Sequence, residues 1–566
     1  MPNENLNWGQ TPVGTRTGGR ILVDALVNHG VDRVFCVPGE SYLAALDALH
    51  DTPSISVHVA RNEGGAAYMA DACAKLTGRP GVCFVTRGPG ATNASGGVHV
   101  AFQDSTPMVL LIGQVGRGDV DREAFQEVDY RRMYGQMAKW VAQIDDAARI
   151  PEYLNRAFAT ATAGRPGPVV LALPEDMLTD EVAVADTPGW QSVPVHPGPD
   201  QVAAVVAELE AAERPLLVVG GGGWTDEARA SLATFASAWE LPVAASFRCQ
   251  DLIDNLHPSY AGMLGIGAGP ALVERVRSAD LLVVIGARLG EITTNGYTLL
   301  EPPRPAQRLV HMHAGAEEIG RVYAADVAVN ASSAEMVAAL AATVPAAPVS
   351  WAADTVRAHA EHRSRSVPNT VPGDLQLGEI FGWLSDRLPD DAVVCTGAGN
   401  YTGWVNRFIR FGGGRRLLAP TSGTMGYGTP GAVAAKLADP DRTVVAVAGD
   451  GCFMMNGQEL ATAVQYRADI IVIVVNNSML GTIRMHQERE YPNRVSATGL
   501  VNPDFVALAQ AYGAHGELVT TTDEFEPAIE RAVAFDGSAL IELRVDAEVL
   551  GTDLTLSGLR AASGDA

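Results

Sequence analysis

The chain has 566 residues, 47% of them hydrophobic and 19% charged, enough apolar material for about three or four domain cores and too much for a disordered chain. Lys and Arg total 41 against 65 Asp and Glu, a formal net charge of −24. A surface this acidic repels phosphodiester backbones and anionic lipid headgroups, which disfavours nucleic acid and membrane as partners.

Taken from the N-terminus, the first twenty residues carry no apolar core of a secretion signal. Short runs rich in Val, Ile and Leu follow, predicted as buried strands at 33–37, 81–86, 108–113, 169–173, 215–220, 281–286, 307–311, 392–396, 443–449 and 470–476. They alternate with longer Ala-rich stretches at helical spacing, the pattern of parallel sheets covered by helices. Segments 186–200 and 344–374, rich in Pro, Gly and charge, read as linkers. Cutting there leaves three α/β blocks, at 1–185, 186–350 and 371–566, each expected to be a doubly wound parallel-sheet domain. Every apolar run is too short to span a bilayer. The six cysteines (Cys36, Cys73, Cys83, Cys249, Cys395, Cys452) form no C-x-x-C pair, which excludes a zinc ribbon and fits a reducing compartment. The chain reads as soluble and cytoplasmic, and its tail after Leu550 as an ordered lid or a frayed end.

Several polar residues sit at predicted strand ends or helix starts. Glu40 follows Pro38-Gly39 and Glu63 opens a helix after Ala60-Arg61-Asn62; an acid in a first turn commonly does no more than complement the helix dipole. Gln114 follows a strand, where an amide can simply cap the end. In the central block, Gly220-Gly221-Gly222-Gly223 is not G-x-G-x-x-G, because Thr225 stands where the last glycine belongs, which disfavours a plain nicotinamide dehydrogenase. His311 and His313 share one face of a strand without further ligands. The third block is richer. Gly397-Ala398-Gly399-Asn400-Tyr401 follows a strand, and Ser422-Gly423-Thr424-Met425-Gly426 is a glycine-rich turn with one large apolar residue. The strand TVVAVAG runs into Asp450-Gly451-Cys452, and 27 residues past Asp450 the strand IIVIVV has run into Asn476-Asn477. Two adjacent parallel strands would bring both polar ends to one carboxyl edge, where open α/β sheets bind ligands. One carboxylate plus one amide oxygen suits Mg²⁺ when phosphate and water complete its shell.

This G-D-G…N-N pair resembles the thiamine-diphosphate fingerprint, and nearly the whole chain is similar to the acetolactate synthase/pyruvate oxidase group of thiamine-diphosphate enzymes. The resemblance implies a pyrimidine-binding first domain, a central domain and a diphosphate-binding third domain. It implies that Asp450, the Asn477 side chain and the Met479 carbonyl hold Mg²⁺. Gly451, Cys452 and the backbone of Leu480, Gly481 and Thr482 would meet the diphosphate, with Gly399, Asn400 and Tyr401 on the same side. Cys452 stands where a small hydroxyl residue is common. Gly423 and Met425 would meet the aminopyrimidine, Met425 wedging the cofactor into a bent shape. Glu63 would hydrogen-bond N1′ of that ring in a neighbouring subunit's site, which requires at least a homodimer, with a homotetramer expected.

Nearer the substrate the alternatives stay open. The residue matching Gln114 lies near the reacting carbon in synthases. Glu40 is a candidate proton donor or a plain helix-start acid. Arg484 either pairs with a substrate carboxylate or shares a solvated helix face with Glu488. Gly286-Ala287-Arg288-Leu289-Gly290 resembles a synthase segment lining an FAD site, but the following EITT departs from that pattern, so FAD, ADP, a CoA nucleotide or nothing stays open there. The activity implied is acetolactate synthase-like joining of 2-oxo acids. Decarboxylase, benzoin-type aldehyde lyase and 2-hydroxyacyl-CoA lyase are alternatives, and a silent nucleotide-binding relative is the non-enzyme one.

Overall fold

The computed structural model of the chain describes residues 14–563; positions 1–13, part of the stretch searched for a signal, and the last tail positions 564–566 lie outside them. Three six-stranded sheets follow one another. The first contains Arg33–Cys36, Ser56–Val59, Gly81–Val85, Met108–Gln114, Trp140–Gln143 and Pro168–Pro174, in spatial order second, first, third, fourth, sixth, fifth. The third sheet, with Val393–Thr396, Arg416–Leu418, Val444–Gly449, Ile471–Asn476, His515–Val519 and Ala539–Arg544, repeats that order. The central sheet, from Pro215–Val219 to Val327–Asn330, is ordered third, second, first, fourth, fifth, sixth. Every pairing within these sheets is parallel. The α/β class and all the predicted buried strands are present.

The strands run where β-branched residues meet helices on both faces, so a continuous apolar run is buried throughout. Residues 444–448 are all buried. Register then places the site. Val447 lies opposite Thr396 and Gly449 opposite Val475, so 397–401, Asp450 and Asn476-Asn477 all leave the sheet at one level.

One apolar core joins the first and third domains, through helix Glu63–Thr77 packed on helix Gly428–Ala438. Within that contact Lys75 reaches Asp71 at 2.8 Å and Asp104 at 2.5 Å, and Tyr427 Oη donates to Asp71 at 2.7 Å. The charged stretch read as part of a linker is instead the helix Ala352–Arg365. It lies along strand Tyr260–Met263, held by Arg275 to Asp354 and Glu361 and by Thr355 Oγ1 donating to Glu240 O. The tail forms a small hairpin and helix Leu556–Ser563, whose Leu556 and Leu559 join Leu550 against Met479 and Met485. All six cysteines are free and buried. Among the described residues no helix is long and apolar enough to cross a membrane.

Candidate active site

The carboxyl edge of the third sheet opens into a cleft with about 930 Å³ of empty space, part of it continuous with solvent. Every third-block residue named above as a cofactor contact lines it: Gly399, Asn400, Tyr401, Gly423, Met425, Asp450, Gly451, Cys452, Asn477, Met479, Leu480, Gly481 and Thr482. Among the described residues that line it, Asp450 is the only Asp, Glu, Lys, Arg or His.

Asp450 is 2% exposed and opens helix Asp450–Asn456. Asn502 Nδ2 donates to its Oδ2 at 2.7 Å and to Asn476 Oδ1 at 3.0 Å. Asn476 Nδ2 donates in turn to the buried Glu542 at 2.8 Å. Burial raises the Asp450 carboxyl above its ordinary range, against the hydrogen bonds from Asn502 and backbone amides. Ser478 takes a left-handed φ of +55°, pinned by its N–H donating to Asn476 Oδ1 at 2.9 Å. That turn brings Asn477 and Met479 to the cleft, with Met479 N donating to Asn477 Oδ1 at 3.3 Å. Among the described residues there is no group of three or more His, Cys, Asp or Glu able to hold a metal. A cation here would rest on one carboxylate with neutral oxygens, a donor set that suits Mg²⁺ and leaves room for phosphate.

Glycines make the floor. A Cβ on Gly451 would come 2.7 Å from Leu480 Cδ2, and one on Gly449 3.0 Å from Tyr401 Cδ1. Cys452 ties the loops together behind them: its Sγ accepts from Gly426 N at 3.2 Å and lies 3.2 Å from Tyr401 Oη, which accepts from Gly397 N at 3.0 Å. The thiol thus fills the hydroxyl position with a working acceptor. Thr482 Oγ1 donates to Asn400 Oδ1 at 2.9 Å, joining the two sides of the cleft.

The first-domain candidates stand apart from this cleft in the same chain. Glu63 begins its helix after the Asn62 cap and accepts from Asn93 Nδ2 at 2.9 Å. Gln114 is buried and satisfied within its own domain, donating to Val128 O at 2.8 Å and accepting from Val115 N at 3.0 Å, the capped strand end. Glu40 starts a single turn, 63% exposed and 3.7 Å from Arg87. Arg484 is not on a solvated face and does not line the cleft: it is 4% exposed, paired with the fully buried Glu488, which Arg560 of the tail helix also reaches at 3.0 Å. Sequence reasoning missed Asn502 beside Asp450 and Trp404 on the cleft wall. Asn502 lies in a loop beyond the N-N pair and carries no local signal.

Comparison with known proteins covers all three domains. Residues 16–133 match the family model "Thiamine pyrophosphate enzyme, N-terminal TPP binding domain", 202–340 its central domain, and 397–543 its C-terminal TPP binding domain. The chain is 34% identical over 547 residues to the acetolactate synthase large subunit of Parasynechococcus marenigrum (strain WH8102), covering 94% of this chain and 88% of that one. It is 33% identical over 538 residues to the acetolactate synthase isozyme 2 large subunit of Escherichia coli (strain K12), covering 94% and 95%. It is also 33% identical over 533 residues to the large subunit of Corynebacterium glutamicum, covering 91% and 84%.

Proposed function

The chain belongs to the thiamine pyrophosphate enzymes related to acetolactate synthase large subunits, and from that membership we propose that it is a Mg²⁺-dependent carboligase acting on 2-oxo acids. The observation that carries the reading is the lone buried carboxylate of Asp450, set in a glycine-floored cleft with, among the described residues, no ion-pair partner and no basic lining residue. A diphosphate entering there meets no Lys or Arg, so a divalent cation and backbone N–H groups must balance its charge. The residues present fit that group. Asp450, Asn477 and the Met479 carbonyl would hold Mg²⁺. Gly451, Cys452 and the backbone of Leu480, Gly481 and Thr482, with Gly399, Asn400 and Tyr401 opposite, would meet the diphosphate.

When bound, the cofactor supplies a nucleophilic carbon and an electron sink, the chemistry that both decarboxylation and carbon–carbon bond formation need. The protein's part is position and protons. Met425, with Gly423 beside it, would put bulk under the cofactor's middle, a task a flexible thioether suits. Glu63 would hold a proton at the ring's N1′. Gln114 would lie near the reacting carbon, and Glu40 would serve as a proton donor there. Arg484 would act through the buried Glu488 cluster to hold the helix over the cleft.

Because Glu63 is not at its own chain's cleft, a complete site needs a second copy, a homodimer at least and a homotetramer as dimers pair. Apolar surface awaits that copy: Leu43 and Phe125 on the first domain, Met454 and Met455 on the helix that begins at Asp450. The glycine turn of the central domain is poorly suited to a nucleotide diphosphate. The helix that follows opens with Asp226 and Glu227, already capped by Thr225, where a diphosphate would need positive potential. Arg165, one of the buried cations of this region, is spent on Glu318 at 2.8 Å and Ser105 at 2.9 Å.

The test is to strip the protein of metal and cofactor, restore Mg²⁺ with thiamine diphosphate, and offer pyruvate, glyoxylate, benzoylformate, acetoin and a 2-hydroxyacyl-CoA. Acetolactate and CO₂ from pyruvate are expected. Aldehyde and CO₂ alone would make it a decarboxylase, and no turnover or thermal stabilisation would overturn the reading.

A further inference from the structure

Between the third domain and the first-domain turn that presents Glu63 lies a contact that the reaction chemistry does not use. Glu459 begins the helix Glu459–Tyr466, the next helix after the one opened by Asp450. It is fully buried, yet its carboxylate points out of the third domain into the turn before Glu63. Oε1 accepts from Arg61 N at 3.1 Å and Asn62 N at 3.0 Å, while Oε2 accepts from Arg61 N at 3.1 Å and Thr462 Oγ1 at 2.6 Å. The same helix holds the strand leading into that turn, Tyr466 Oη accepting from Val59 N at 2.8 Å. Gly65 makes room: a Cβ there would come 2.5 Å from Glu459 Oε1.

The two amides belong to residues immediately ahead of the Glu63 helix, and Asn62 is its cap, accepting from Gly64 N at 2.8 Å. A buried carboxylate satisfied by backbone donors is stable only with its donors in place, so it fixes the turn as firmly as the turn fixes it. Arg61 carries its own charge outward to Gln465, so the carboxylate rests on amide dipoles and one hydroxyl rather than on a salt bridge.

We infer that Glu459 is a positioning residue for Glu63: the third domain, from the helix next to its own metal loop, sets where the first domain presents its glutamate to a neighbouring copy's cofactor. The inference rests on the assignment of Glu63 to the cofactor ring, and displacements near 1 Å at such a group cost up to about 100-fold in rate.

Two variants attack the contact from opposite sides. Glu459→Gln replaces one acceptor oxygen with an NH₂ that faces a donor. Gly65→Ala leaves the carboxylate intact but puts a methyl group in its path, at a helical position where alanine is otherwise favoured. In the cofactor-free full-length protein, amide hydrogen exchange across 58–66 should rise in both variants while exchange across 471–476 stays unchanged. In the loaded enzyme, kcat and cofactor C2 proton exchange should fall by roughly ten- to a hundredfold, with the thiamine diphosphate Kd within about threefold of the parent. Glu63→Gln is measured alongside. If it slows C2 exchange and neither Glu459→Gln nor Gly65→Ala does, the positioning role is overturned while the Glu63 assignment stands. If Glu63→Gln itself leaves C2 exchange unchanged, the assignment fails and the inference falls with it. Unchanged exchange across 58–66 in both contact variants also overturns the inference, whatever the activity.

Discussion

Asn502 donates one amide hydrogen to Asp450 at 2.7 Å and another to Asn476 at 3.0 Å, so one side chain fixes both strand ends that frame the cleft. It does so without neutralising Asp450, whose carboxyl is raised by burial and has no cationic partner in that bond network. A buried carboxylate with no cationic partner is costly; its hydrogen bonds offset part of that cost, and a cation would offset more.

The sign of Asp450→Asn follows. Without cofactor, the variant should be as stable as the parent or more so, because an uncompensated buried charge is removed and the Asn502 contact can be kept by a flipped amide. With Mg²⁺ and thiamine diphosphate at about a hundred times the parent Kd, the parent should gain about 2.7 kcal/mol and the variant almost nothing. Thermal unfolding with and without ligands measures both. A variant stabilised as much as the parent would remove Asp450 from the metal.

Gly451 tests the floor. An alanine there brings Cβ to 2.7 Å from Leu480 Cδ2 and 3.2 Å from Leu500 Cδ1, so Leu480, which lines the cleft, must shift. Gly451→Ala should weaken cofactor binding tenfold or more, about 1.4 kcal/mol. Trp404, on the cleft wall, reports binding through its fluorescence. An unchanged titration curve would mean that the diphosphate lies elsewhere.

What the sequence discloses depends on how local each feature is. Strands such as Val444–Gly449 are legible because both faces are buried and the apolar run is continuous. Ser56–Val59 and His515–Val519, at sheet edges, mix polar residues into half-exposed faces and leave no such run. Asp450 and Asn477 are legible because each sits directly at a strand end. Asn502 and Glu459 are not, since only the tertiary fold decides what an amide or carboxylate far along the chain will meet. The spacing of Arg484 and Glu488 gives the ion pair, but its burial depends on the tail helix, which no local pattern announces. The helix Ala352–Arg365 was hidden for a related reason: only Thr355 and Ala358 of its residues are buried, and ion pairs hold much of the rest.

Met455 tests the assembly. It is 55% exposed and its neighbour Met454 49%, on the helix opened by Asp450, far more apolar surface than that short helix needs for its own core. Met455→Glu adds charge to an already acidic chain at the face proposed to receive the neighbouring copy. Sedimentation velocity should show a shift toward monomer, and specific activity should fall in proportion to the monomer fraction. Full activity in a monomer would separate Glu63 from the site altogether.

The buried cluster of Arg484, Glu488 and Arg560 sets a pH window for the tail. Burial alone would raise the Glu488 carboxyl, but donation from Arg560, from the Asn493 amide and from Arg484 outweighs it and holds the group at about 2, below its ordinary 4.5. A depressed acid stabilises the folded arrangement fully above the ordinary value and loses that contribution as pH falls through the depressed one. The parent should therefore protect residues 549–563 from hydrogen exchange better than Glu488→Gln at pH 6. That advantage should shrink below about 4.5 and vanish near 2, with added salt weakening it least where the cluster is most buried. The helix Gly481–Glu490 over the cleft should loosen in step, since Met485 packs on the tail leucines. An advantage that does not change with pH would show that packing of Leu556 and Leu559, and not the charge cluster, holds the tail in place.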